Sequence, residues 1–283
     1  MNCKCRVGLY PFLIGRKGPL RAARIVVLTA LVSGCQTPID SKPHTEVLIP
    51  SNQILGGTTD PLVGLGKPLV KALKRTTLTL YIGGDGQVEA SSDPSPKLPV
   101  ALQLAASDAG AWILGRPCYQ LSQLPSHCNP RLWQDSRYSE PVVVTMTDVI
   151  QELLIHTGSD SIRLVGYSGG GTLAVLLSDR ITSVTEVITI AAPLDLIAWA
   201  RLRGTSPPQA SLDPIQHHKP GGASGITRYL HLVGGRDTVV PSYQAAGYSA
   251  RFPEEHFRTF PLYDHVCCWV RDWPNLLQGI TER

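Results

Sequence analysis

Between residues 76 and 280 short apolar runs alternate with segments whose apolar positions recur at helical spacing. "TLTLYI" (77–82), "AWILG" (111–115), "SIRLVGYS" (161–168), "VTEVITIAAP" (184–193), "TRYLHLVGGRD" (227–237) and "HFRTFPLYDH" (256–265) read as strands. Between them "PVALQLAASDAG" (99–110), "EPVVVTMTDVIQELLIHTG" (140–158), "GGTLAVLLSDR" (170–180) and "SYQAAGYSARF" (242–252) read as helices, the second entered through Pro141. Strands apolar along their whole length are buried on both faces. The pattern therefore predicts an α/β protein whose mainly parallel sheet is covered by helices on both sides. In such sheets the chemistry gathers at the carboxyl ends of the strands.

Upstream the pattern changes. Residues 1–34 hold six Lys or Arg and no acid, and their apolar core "IVVLTALV" (25–32) is followed by "SGC". A basic start, a short apolar core and small residues before a cut site make a secretory signal. About 20 apolar residues would be needed to span a bilayer, so this core is too short for a permanent helix. "LVSGC" (31–35) resembles a bacterial lipobox, which makes Cys35 the lipidated first residue of the mature chain. Several acyl chains on one cysteine anchor a domain where a single chain is marginal. Gln36 resembles the position-two residue of lipoproteins sent to the outer membrane, so the expected location is the cell envelope, facing the periplasm. Residues 35–75, rich in Pro, Ser, Thr and Gly, read as a tether with an irregular or hairpin-like lead-in to a domain at 76–283.

Composition narrows the function classes. Hydrophobic residues at 43% and charged residues at 17% describe an ordinary globular domain. Outside residues 1–34 there are 20 basic against 22 acidic residues, with no basic stripe, which argues against a nucleic-acid partner.

The run "LVGYSGGGT" (164–172) sets a strand directly against a serine caged by glycines. A lone G-x-S-x-G is a weak signal, but Gly166-Tyr167-Ser168-Gly169-Gly170 ends a strand and opens a helix, the context of a nucleophile elbow. A phosphate-binding turn is disfavoured, because there is no G-x-x-x-x-G-K-[ST] and no acidic ribose-binding residue where one is expected. A serine hydroxyl needs a base, and the base needs an acid to orient it. Asp237 closes the strand at 227–237 and His265 closes the next. Seven other histidines compete with His265: His44 in the tether, His127 between two cysteines, His156 late in a helix, His217 and His218 in a loop, His231 within a strand, and His256 before the last strand. Asp195, after "IAAP", is the alternative acid, and Asp264 is expected to face elsewhere.

"YIGGDG", "GYSGGG", "GGRDTVVP" and "YDHVCCW", with the chain order Ser168, Asp237, His265, resemble the α/β-hydrolase family of serine esterases, lipases and peptidases. The stretch "RPC...HC...W...RYS" (116–139) resembles a group of exported bacterial members. The resemblance covers residues 76–280 and implies the α/β-hydrolase fold and hydrolysis of a small-molecule ester through an acyl-enzyme. A peptidase or amidase on the same triad, or a non-catalytic surface lipoprotein that keeps the fold for binding, are the alternatives. It further implies that the oxyanion is held by the Gly169 amide and by the amide of Asp85, with Gly84 permitting the approach. The His-Gly form common in lipases is absent, Gly83 standing where that His would be, and a plain hairpin turn is the alternative reading of "GGDG". No metal or other cofactor is implied.

Cys3 and Cys5 leave with the signal. In an oxidising compartment Cys118 and Cys128 are the expected disulfide, while Cys267 and Cys268 are left as buried thiols, a vicinal pair or partners for the other two. Residues 195–226 exceed an ordinary connection and stand where family members carry a cap. Trp199 and Leu202 there either line a substrate pocket or pack on the scaffold.

Overall fold

The computed structural model describes residues 47–48, 77–89, 94–96, 99–119 and 128–281. The signal segment, Cys35 and nearly all of the tether lie outside the described residues. Seven strands form one sheet: β1 (Val47–Leu48), β2 (Thr77–Ile82), β3 (Trp112–Leu114), β4 (Ser161–Tyr167), β5 (Val184–Ile190), β6 (Arg228–Gly234) and β7 (His256–Phe260), in the order β1-β3-β2-β4-β5-β6-β7. β1 pairs antiparallel with β3, and every other pairing is parallel.

Alternation along the strands builds two cores. Leu78, Leu80 and Ile82 of β2 and Leu164 of β4 face one side, where they meet α2 (Glu140–Thr157) and α3 (Gly169–Ser178). Tyr81, Val165 and Ile188 face the other, against α1 (Val100–Ala105) and α7 (Trp269–Thr281). α2 is entered through Pro141 in its first turn, and Gly158 stops it in the left-handed conformation, its N–H donating to the Leu154 carbonyl.

Four elements depart from the sequence reading. The helix expected over 99–110 ends at Ala105, and the last strand ends at Phe260, leaving His265 on a loop. The segment 242–252 divides into a 3₁₀ turn (Ser242–Ala245) and α6 (Ala246–Arg251). α7 was not legible, because Pro274 inside it reads as a breaker. A helix-interior proline costs about 3 kcal/mol. Burial of Trp269 and Trp273, at about 200 Å² each and about 25 cal/mol per Å², outweighs that cost.

The segment 195–226 carries two short helices, α4 (Leu196–Leu202) and α5 (Pro214–His217). The chain runs from β2 out to β3 and then returns across β2 to β4, so the topological switch lies between β2 and β4. The loops leaving these two strands face each other there, and a ligand crevice opens at such a point.

Candidate active site

β4 delivers Ser168 to the switch point. Its backbone stands at φ 52° and ψ −127°, and its N–H donates to the Ile190 carbonyl at the end of β5 (2.8 Å). The turn requires its glycines sterically: a Cβ at Gly166 would overlap the Gly170 carbonyl oxygen, and one at Gly170 would overlap that of Ile82. Behind the serine α3 begins at Gly169, and the start of a helix carries partial positive charge.

His265 Nε2 lies 3.2 Å from Ser168 Oγ, and its Nδ1 lies 2.8 Å from Asp237 Oδ2. The Asp237 side chain is fully buried, and its second oxygen accepts from the Val239 and Val240 N–H groups, both at 2.8 Å. A carboxylate at Nδ1 holds the imidazole proton there, which leaves Nε2 free to accept from the serine hydroxyl. Asp195 is occupied elsewhere, its Oδ1 accepting from the Ala198 N–H and capping α4. Asp264 folds back on its own loop, accepting from the Val266 and Cys267 N–H groups.

Tyr167, next to Ser168, also holds His265 in place. Its hydroxyl donates to the His265 carbonyl (2.9 Å), and its ring lies 5.4 Å from the imidazole. The sequence marks Tyr167 only as the variable position of G-x-S-x-G, so this role was not legible. The loop after β2 closes over the serine: a Cβ at Gly84 would stand 3.1 Å from Ser168 Cβ, so the backbone expected to supply an oxyanion donor lies beside the nucleophile.

The Asp85 side chain had no role in the sequence reading. Arg116 Nη1 donates to its Oδ1 (2.8 Å), Tyr138 Oη donates to its Oδ2 (2.5 Å), and Arg137 Nε makes an ion pair with Oδ2 at 3.1 Å. Burial pushes the carboxyl pKa up, but the Arg137 and Arg116 guanidiniums outweigh it and hold the group below the usual carboxylate range.

Trp199 reaches the loop that carries Asp237. Its Nε1–H donates to the Val239 carbonyl, and the Arg137 and Arg203 guanidiniums lie 5.7 and 5.6 Å from its rings. It therefore has scaffold contacts, whereas Leu202 is exposed. His217 and His218, read as loop residues, end α5 and follow it, and His218 is buried. Cys118 and Cys128 form a disulfide, and Cys267 and Cys268 are bonded to each other. Among the described residues, no group of three or more His, Cys, Asp or Glu converges as a metal site.

Sheet order and helix layers define the class of architecture as the α/β-hydrolase fold. Solved structures agree. An α/β serine hydrolase homologue from Coxiella burnetii superposes with a TM-score of 0.54 over 93% of this chain and 98% of its own, at 13% identity. A Xanthomonas campestris α/β serine hydrolase described as lacking a lid gives 0.51 over 85% and 88%, also at 13% identity. An esterase of Pyrococcus furiosus gives 0.50 over 74% and 81%, at 15% identity. No family model matches the sequence, and no curated protein is significantly similar to it.

Proposed function

We propose that the protein is a serine hydrolase that cleaves a small-molecule carboxylic ester, held at the bacterial outer membrane on the periplasmic side through lipidated Cys35. The observation that carries the catalytic reading is the relay from buried Asp237 through His265 to the strained Ser168. A protein that used the fold only for binding would have no need of a base and an acid at these two strand ends.

Ser168 Oγ attacks the carbonyl carbon while His265 Nε2 takes its proton. The carbonyl oxygen becomes an oxyanion beside the Gly169 amide and the backbone of the 84–85 loop. His265 then passes the proton to the departing alkoxide, the C–O bond breaks and an acyl-serine remains. Water completes the cycle: His265 takes its proton, the hydroxide adds to the acyl carbon, and the serine leaves reprotonated. The same relay serves an amide, with the proton going to an amine.

A fluorophosphonate probe tests the reading. Labelling of the wild-type chain that is lost in Ser168→Ala is the expected result, followed by turnover of p-nitrophenyl esters above that of aminoacyl amides. An unlabelled wild-type chain would leave the binding-module alternative standing, and a preference for the amides would make the protein a peptidase or amidase.

A further inference from the structure

Asp85 lies where an acid is least expected. A Cβ at Gly169 would overlap Asp85 Oδ1 and would stand 2.5 Å from Tyr138 Oη, so the carboxylate is packed against the backbone of the residue whose amide is assigned to the oxyanion in the proposed mechanism. Left alone, a negative charge there would oppose the charge that develops in the transition state.

Two separate segments answer it. From the loop after β3, Arg116 binds the carboxylate, and Tyr119 Oη donates to the Asp85 carbonyl (3.1 Å). From the turn before α2, Arg137 and Tyr138 bind the second oxygen. Both guanidiniums are held from behind: Arg116 Nη2 donates to the Arg137 carbonyl, and Arg137 Nη1 to that of Gln134. Arg116 also lies 4.5 Å over the Tyr119 ring. Both arginines are at least nine-tenths buried, and two cations face one carboxylate. Buried charge on this scale is costly unless the geometry is used.

Resting on the reading of the site as a serine hydrolase, we infer that Arg116 and Arg137 are positioning residues of the oxyanion hole. Through Asp85 they clamp the 83–86 loop against Gly169, and they cancel the carboxylate with positive charge to spare. Neither touches the substrate. The clamp fixes the loop amides, and the surplus charge makes the region behind the hole favour an anion.

The test compares Arg116→Met, Arg137→Met and the two Lys variants in the full chain, using p-nitrophenyl butyrate as substrate and phenylboronic acid as a probe. The boron accepts Ser168 Oγ and becomes a tetrahedral anion, so it reports on the oxyanion site. Each Met variant is expected to lose about 10²-fold in kcat, the scale of one lost oxyanion donor. KM should stay within about threefold, and boronate affinity should fall in parallel with kcat. Each Lys variant, which keeps the charge but not the fork, should recover part of both. A purely structural role would lower thermal stability without this parallel. If a Met variant fails to fold, Tyr138→Phe and the Lys variants carry the test, with smaller losses in kcat and boronate affinity at unchanged KM. Folded variants that keep kcat and boronate affinity within twofold of wild type, or that change KM alone, overturn the inference. Fluorophosphonate labelling of the wild-type chain is read first: no labelling sinks the hydrolase reading and the inference with it, whereas labelling with indifferent arginine variants sinks only the inference.

Discussion

Ser168 holds φ 52°, one of three positive-φ non-glycine positions among the described residues. Such a conformation costs about 1–3 kcal/mol and persists only where the surroundings impose it. Here the imposition comes from the bond to Ile190 and the close approach of Gly166 to Gly170. Ser168→Gly should relieve the strain and Ser168→Ala should not, so both are inactive but the glycine variant melts higher. Equal melting temperatures in calorimetry would argue against strain at the elbow. The acid is tested the same way. Asp237→Asn favours the wrong imidazole tautomer and should lower kcat by about 10⁴. Asp195→Asn should leave kcat and stability near wild type, since asparagine caps a helix as well as aspartate does; a reverse ranking in steady-state kinetics would move the acid to Asp195. That Ser168, His265 and Asp237 come together was legible because each follows a strand and glycines flank the serine. Arg116, Arg137 and Tyr138 were not legible as partners of Asp85, because residues 31 to 53 positions away meet it only once the sheet has formed.

At the level of elements, the segment 195–226 is tied to the sheet by a buried polar chain. His218 sits between Asp179, at the end of α3, and Glu255, before β7. Glu255 also meets His231 Nε2, and His231 Nδ1 meets Thr189 on β5. Burial pulls the His218 pKa down, but hydrogen bonds to Asp179 and Glu255 outweigh it and raise it to about 9. Burial keeps His231 low. The unfolded imidazole titrates near 6.5. A raised folded pKa means that this stabilisation is complete below about pH 6.5 and is lost as pH rises toward about 9. Melting temperature should therefore fall across that window, with a shallower slope in His218→Gln; parallel slopes would mean that His218 does not carry the effect. The Cys118–Cys128 bridge braces the loop that carries Arg116 and Tyr119. Replacing both cysteines by serine should lower stability by about 2–3 kcal/mol in urea titration, the entropy of opening so short a loop. β2, β4 and β5, with α2 and α3, were readable from periodicity, because those strands are buried on both faces. His218 was not, because a Gln-His-His-Lys run looks solvated until two distant carboxylates enclose it.

At the scale of the whole molecule, none of the helices among the described residues is long and apolar enough to cross a membrane. The proposed attachment rests on Cys35, which precedes the described domain. β1 joins the sheet edge beside β3 at Val47, twelve positions after Cys35. At about 3.3–3.6 Å per residue, twelve residues reach at most about 43 Å, so a lipidated Cys35 would keep the domain within roughly one domain diameter of the bilayer. Outside residues 1–34 the chain has 20 basic against 22 acidic residues, so the acyl chains would have to supply most of the affinity. Cys35→Ala should abolish metabolic labelling with an alkynyl fatty acid and disturb normal delivery to the membrane. Turnover per detergent-solubilised molecule should stay within about twofold of wild type, because the site lies wholly within residues 77–281. A Cys35→Ala chain that is labelled, processed and membrane-extracted like wild type would remove Cys35 as the anchor and leave the catalytic reading untouched.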